Sequence, residues 1–254
     1  MAQPLQQLFP LIRRSGLTGW LAGQYRYLSF AALLLIASVS PSIHDQATRR
    51  RSASILCCAA WQTLPGYLLA CVLLSAILTR IVAVSADSYG LSHLALEAIL
   101  RVFVVELLPL ASTLFVAMRA VPMAMLHLAA LPGQPGAGLR DALQYAVGNA
   151  AAVVILAIVG GIVSLLVAYP VVHGFNQWGL PAYTRLIGQV FDPILAIAFS
   201  AKILFFGIAV GIAPATVVLD PRKYDTGQRE MRVMVRLLLI LILIEGSFLM
   251  LRRF

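Results

Sequence analysis

The feature that most constrains this fold is a long stretch without charge. Residues 52–79, between Arg51 and Arg80, contain no Asp, Glu, Lys or Arg. A helix needs about 20 apolar residues to cross the hydrocarbon core of a bilayer, so this stretch predicts a membrane-spanning helix. Of the 254 residues, 61% are hydrophobic and only 11% are charged, with a mean hydropathy of +0.90. No water-soluble domain hides that much apolar surface, so we expect an all-α integral membrane protein.

Further apolar stretches predict four more crossings. The run 142–184 is long enough for one crossing followed by an extended loop, while residues 27–40 are too short to cross and favour an interfacial amphipathic helix within residues 5–45. We therefore predict a single domain over residues 1–254, with that interfacial helix and about five transmembrane helices within 52–251. The remaining candidate crossings lie within the stretches 91–131, 193–219 and 233–251.

Basic residues divide unevenly between the two sides of such a bundle, which predicts its orientation. Five crossings place Arg49–Arg51, Arg140 and all four basic residues between 222 and 232 on the side of the N-terminus. By the positive-inside rule this side is cytoplasmic. The formal charge of +9 then reports orientation, and we expect no nucleic-acid partner.

Three ionisable residues fall inside predicted spans. Glu106 lies 13 positions before Arg119, and Glu245 lies 13 positions after Arg232, so each is about 20 Å from the cytoplasmic boundary at about 1.5 Å per residue. Lys202 lies 18 positions before Asp220, or about 27 Å from that boundary, so the three residues could meet in the outer half of the membrane. We predict that the lysine meets the two carboxylates and forms a polar floor or gate in a cavity. The alternative is that the three residues only pin helices together.

Motifs for catalysis, nucleotide binding and metal binding are missing from the sequence. There is no Gly-x-Ser-x-Gly, no His-Glu-x-x-His and no Gly-x-x-x-x-Gly-Lys-Ser/Thr. Cys57, Cys58 and Cys71 all lie in apolar sequence and predict neither a disulfide framework nor a metal site. We expect a protein that is not an enzyme, without cofactor or metal, whose partner subunit handles any ATP.

Residues 105–120 carry a family resemblance. The segment reads Val-Glu-Leu-Leu-Pro-Leu-Ala-Ser-Thr-Leu-Phe-Val-Ala-Met-Arg-Ala, in which Glu106, Leu107, Pro109 and Arg119 match the Arg-Glu-Leu-Gly-Pro…Gly-Arg motif of MlaE/YrbE-type permeases. Across most of its length the chain resembles these permeases. The further matching positions are Lys202, Arg232 and Glu245. At the last of these the family has Asp instead of Glu.

The resemblance implies a permease subunit of an ABC-type lipid transporter in the bacterial inner membrane. With a second permease copy it would enclose an apolar cavity for phospholipid, driven by a cytoplasmic ATPase and served by an MCE-domain partner. Glu106, Lys202, Glu245 and Arg232 would be the charged residues of the cavity or gate. Tyr89 and the predicted loop 171–190, with Trp178 and Tyr183, would face the MCE partner.

The departures from the family pattern matter for the partners. Val105 stands where the family has Arg, and the cytoplasmic segment that docks the ATPase is shortened to about residues 136–149. Its remaining trace is Arg140, Asp141, Ala142 and Leu143, which suggests a divergent permease that pairs with a more typical one. Two other functions remain open: a proton-coupled secondary carrier using the same carboxylates, and a non-transporting membrane scaffold subunit.

Overall fold

The computed structural model describes residues 46–87, 101–130, 137–174, 176–190, 192–214 and 226–251, and every regular element in these ranges is helical. All of them belong to one compact unit, Gln46–Phe254. The predicted interfacial helix of residues 5–45 lies outside the described residues, as does Tyr89. The elements are α1 (Gln46–Asp87), a π-helical turn (Phe103–Leu107), α2 (Leu108–Ala130), α3 (Ala137–His173), a 3₁₀ turn (Gln177–Gly179), α4 (Leu180–Val190), α5 (Pro193–Ile212) and α6 (Thr226–Leu251).

Five stretches of the described part are long and apolar enough to cross a membrane, so the prediction of an all-α membrane protein is confirmed. The first continues past Arg80, whose exposed side chain has a long aliphatic stem that can carry the guanidinium toward the headgroups. The fourth span is shorter than the apolar stretch 193–219 suggested. The spans are Ser52–Ser85, Phe103–Leu128, Asp141–Val172, Pro193–Ile212 and Glu230–Met250.

Helix α3 is the centre of the bundle, because it packs against α1, α2 and α5. It runs parallel to α1: Gly148 meets Ile55 near the start of both helices, and the Ser75 hydroxyl donates to the Ser164 carbonyl at 3.0 Å further along. Helix α6 packs mainly on α5 and α2, and about half of its described side chains are exposed. The bundle therefore has a close-packed body with α6 at its edge.

Two glycines let α5 approach α3. A methyl group added at Gly207 would lie 3.1 Å from the Ala150 carbonyl oxygen, and one at Gly211 would overlap the Ala146 carbonyl oxygen. The partner residues fall as the glycine numbers rise, so the two helices are antiparallel. Small residues at such a crossing replace the hydrophobic driving force that lipid cannot supply, because they bring two backbones into van der Waals contact.

The prediction of a loop over residues 171–190 is wrong for most of that range. Residues 180–190 form α4, whose Tyr183 and Leu186 are buried in a cluster with Ala168 of α3. The Tyr183 hydroxyl donates to the Leu165 carbonyl at 2.8 Å, so this side chain does not face a partner, whereas Trp178 is 91% exposed. The apolar residues of α4 share one face of the helix. With 11 residues this helix is too short for its sequence to be recognised as a membrane span. We call the side of the bundle that carries this helix the α4 end.

Replacing Gly211 by Ala should weaken the α3–α5 contact. The added methyl group meets backbone rather than a flexible side chain, and overpacking of this kind costs about 1–3 kcal/mol of unfolding free energy. Gly161→Ala is the matched control, because nothing lies within 4 Å of its added Cβ. Unfolding in detergent, followed by circular dichroism, measures both variants. Equal stability of the two would contradict the close approach at Gly211.

Tyr183 should make the protein sensitive to alkali. Burial raises the pKa of Tyr183 from 10.0 to about 12, so between these values the unfolded chain loses a proton that the folded chain retains. Stability present below pH 10 is therefore lost as the pH rises toward 12. We expect Tyr183→Phe to be less stable at pH 8, through loss of the hydrogen bond to Leu165, but to lose less stability than the wild type between pH 10 and 12. Parallel pH dependence of both proteins would contradict the assignment.

Candidate functional site

Lys202 lies at the middle of α5, nine positions after Pro193 and ten before Ile212. Its side chain is only 2% exposed, although the helix around it is almost wholly apolar. Removing an ammonium group from water costs several kcal/mol, so a lysine at this depth requires charged partners. Both partners come from other helices.

The Lys202 ammonium donates hydrogen bonds to Glu106 Oε2 and to Glu245 Oε1, the latter at 2.7 Å. Glu106 comes from the π turn before α2, and Glu245 comes from α6. The Phe206 ring lies one turn along α5 with its centroid 5.8 Å from Nζ, within the range of a cation–π contact. The predicted meeting of the three residues is thereby confirmed. We call Glu106, Lys202 and Glu245 the charge triad.

Glu245 reaches the triad because it continues the buried face of α6. Leu237 and Leu241 are the two buried apolar residues between 230 and 250, the part of α6 whose side chains the structure describes, and Glu245 follows them at the same spacing of four. Residues four apart lie on one side of a helix, so the packing that seats the two leucines also aims the carboxylate at α5. This spacing was visible in the sequence.

The triad contains two acidic side chains and one basic side chain. With two ionised carboxylates and one ammonium its formal charge is −1. Glu245 Oε2 is buried, and no residue of the described part hydrogen-bonds to it. The side chains of Glu106 and Glu245 are 13% and 19% exposed, whereas the lysine is almost completely covered. The part of the triad that reaches the surface therefore belongs to the two glutamates.

Glu106 is presented by a π turn that the sequence analysis missed. The Leu108 N–H donates to the Phe103 carbonyl, five residues back instead of the four of an α-helix. Phe103, Val104 and Val105 are buried, and Glu106 follows them toward Lys202. Such wide turns are rare and concentrate at functional sites. The available signal was Pro109, whose ring opposes regular helix in the turn before it.

Among the other matched positions, the two arginines lie apart from the triad. Arg232 is exposed and lies 13 positions before Glu245 on α6, about 20 Å along the helix at about 1.5 Å per residue. Arg119 is exposed and equally far from Glu106, and Leu107 is 37% exposed. Pro109 is buried beside the triad, and its carbonyl accepts hydrogen bonds from Ser112 and Thr113. The placement of Arg232 in a gate stays a prediction.

The predicted ATPase contact, Arg140–Leu143, lies in the first turns of α3, at the end of the bundle opposite α4. Ala142 is fully buried and Leu143 is 6% exposed, so both contribute to the packing of this chain. Asp141 is half-buried. The contact with an ATPase stays a prediction.

The described residues contain no group of three or more His, Cys, Asp or Glu that could hold a metal ion. Cys71 is buried, and Cys57 and Cys58 are exposed as free thiols. Comparison of the chain with known protein families, with characterised proteins and with solved structures found no match. The site is therefore defined by its own geometry.

Lys202→Met should destabilise the bundle, because it leaves two carboxylates facing each other without a cation. Removing one partner from a buried ion pair typically costs about 3–5 kcal/mol. The triple variant Lys202→Met, Glu106→Gln, Glu245→Gln removes all the charges at similar volume and should recover most of that loss. Unfolding midpoints in detergent measure both. A triple variant as unstable as the single one would contradict the charge account.

Proposed function

We propose that the chain is the permease subunit of an ABC-type phospholipid transporter. With a second permease copy it forms an apolar lipid-binding cavity, and it works with a cytoplasmic ATPase and an MCE-domain protein. The proposal draws on the resemblance to MlaE/YrbE-type permeases. It also draws on the charge triad, which joins three positions of that resemblance, Glu106, Lys202 and Glu245, in one site.

The triad is the observation that carries the proposal. Apolar residues of similar volume often stabilise a protein as well as a buried ion pair does, so stability alone does not require charges here. Ionisable residues inside a membrane typically mark the path of a substrate or ion. The partly exposed edge of the triad, formed by Glu106 and Glu245, suits a ligand that brings a hydrogen-bond donor or a positive group. A phospholipid headgroup with an ammonium group has this chemistry.

The acyl chains need an apolar surface next to that edge, and α5 offers one. Ile194, Ile197, Leu204 and Phe205 are each more than half exposed on this helix. A second permease copy facing this surface would enclose it as a cavity with the triad at its polar boundary. A change of shape driven by the ATPase would then open the cavity toward the MCE partner.

The second candidate is a proton-coupled carrier, and one atom favours it. Glu245 Oε2 is buried without a hydrogen-bond partner among the described residues, within a triad of formal charge −1. Binding one proton there would neutralise the site. Such a carrier would work without an ATPase, which separates the two candidates by experiment.

Purification of the tagged chain from its native membrane in mild detergent tests the proposal. Mass spectrometry of the purified complex should identify an ABC ATPase, an MCE-domain protein and phospholipid, and a second permease if the complex is a heterodimer. Absence of both the ATPase and the MCE protein would contradict the proposal. Uptake driven by a pH gradient without ATP would then support the carrier.

The charge-free triple variant Lys202→Met, Glu106→Gln, Glu245→Gln links the triad to transport. It should assemble with the same partners but lose ATP-driven transfer of labelled phospholipid in proteoliposomes by about tenfold or more, which corresponds to about 1.4 kcal/mol on the barrier. Ser200→Ala is the matched control, because this exposed hydroxyl lies two positions from Lys202 on the same helix. Unchanged transport by the triple variant would reduce the triad to a helix contact.

A further inference from the structure

We infer that Pro109 is a positioning residue: held by Ser112 and Thr113, it maintains the π turn that aims Glu106 at Lys202. Pro109 acts through Glu106 and needs no contact with a ligand. The geometric claim is independent of any transport activity. Its consequence for transport rests on the proposed function.

The backbone around Glu106 shows why a proline has this effect. In a regular α-helix the residue at 109 would donate its N–H to the Val105 carbonyl, but proline has no N–H and its ring clashes with that carbonyl. Here the turn before the proline is wider, with the Leu108 N–H bonded to the Phe103 carbonyl. A wider turn gives the Val105 carbonyl and the proline ring more room.

The other internal prolines show that proline alone is not sufficient. Pro65, Pro122 and Pro170 also lie inside helices, and each lies in continuous α-helix. None of the three has a hydroxyl residue three or four positions later. The turn before Pro109 differs from theirs because it also carries Glu106, which pairs with a lysine of another helix.

Two hydroxyl groups fix the position of this proline. Ser112 Oγ and Thr113 Oγ1 donate to the Pro109 carbonyl at 2.9 and 2.5 Å, and both side chains are fully buried. Hydroxyls that bond back to a carbonyl of the preceding turn bend a helix locally. The backbone after Pro109 is therefore held from within α2, and the adjustment falls on the turn before it.

The π turn decides which way the triad carboxylate points. Each α-helical residue turns the chain by about 100°, so closing a π turn into an α-helix rotates the two flanking segments by about that angle relative to each other. At present Val105 is buried against α4 and Leu108 is buried in the main core, while Glu106 between them meets Lys202. After closure these three contacts would no longer be compatible.

The test is the energetic coupling between Glu106 and Lys202, measured by a double-mutant cycle. The cycle compares the unfolding midpoints of four proteins: the wild type, Glu106→Gln, Lys202→Met and the double variant. Together they give the coupling of this pair alone. The same cycle in a Pro109→Ala background should lose most of the coupling. In a Pro122→Ala background, the matched control on the same helix, the coupling should be retained. Coupling retained in Pro109→Ala would overturn the inference, however much that variant lowers the overall stability.

A second variant serves if Pro109→Ala does not fold. Ser112→Ala with Thr113→Val keeps the proline but removes both hydroxyl donors, and it should reduce the coupling to a smaller extent. Unchanged coupling in this variant would also contradict the inference.

Transport separates this inference from the proposed function. If coupling is lost in Pro109→Ala but the wild-type chain binds no ATPase and carries no lipid, the positioning role stands and the proposed function fails. If ATP-driven lipid transfer is shown and Pro109→Ala abolishes it with the coupling intact, the proposed function stands and the positioning role fails.

Discussion

The burial of one ammonium group is the constraint on which the rest of this structure depends. Lys202 lies at the middle of a span and is 2% exposed, so it needs negative partners from neighbouring helices. One partner requires α6 to lie along α5 with Glu245 at the end of its buried face. The other requires a wide turn at the start of the second span, where Glu106 follows three buried apolar residues. The edge helix and the irregular turn thus answer the same electrostatic demand.

The body of the bundle is held together by a different interaction. Five buried residues follow one another along α1 at a spacing of four. Four of them carry a hydroxyl group and the fifth is a cysteine: Thr63, Tyr67, Cys71, Ser75 and Thr79. This face meets α3, where the Tyr67 ring lies against Gly160 and the Ser75 hydroxyl donates to the Ser164 carbonyl. Gly207 and Gly211 bring α5 into backbone contact with α3 in the same way. Close backbone contact thus joins these three helices, whereas α6 is joined to the bundle through side chains, which include Leu237, Leu241, the Phe248 ring against Phe205, and Glu245.

Much of this was predictable because a bilayer imposes a common length scale. Charge-free stretches revealed the spans, and counting from flanking charges placed Glu106, Lys202 and Glu245 at similar depths before any contact was known. Helix α4 escaped prediction because its eleven residues are too few for a span signal, and Tyr183 was assigned to a loop. The π turn has no compositional signature, and three other prolines in this chain leave their helices regular. Its position depends on tertiary contacts that a sequence does not display.

One buried oxygen atom distinguishes the charge triad from a simple contact between three helical segments. Holding those segments together needs one bond from Lys202 to each glutamate, and the structure has both. Oε2 of Glu245 takes part in neither bond, is buried, and has no hydrogen-bond partner among the described residues. Such a group lowers stability unless something else completes it. Both candidate functions supply that missing partner, a headgroup donor in one case and a proton in the other. This oxygen of Glu245 is therefore the part of the site that a purely structural role leaves unexplained.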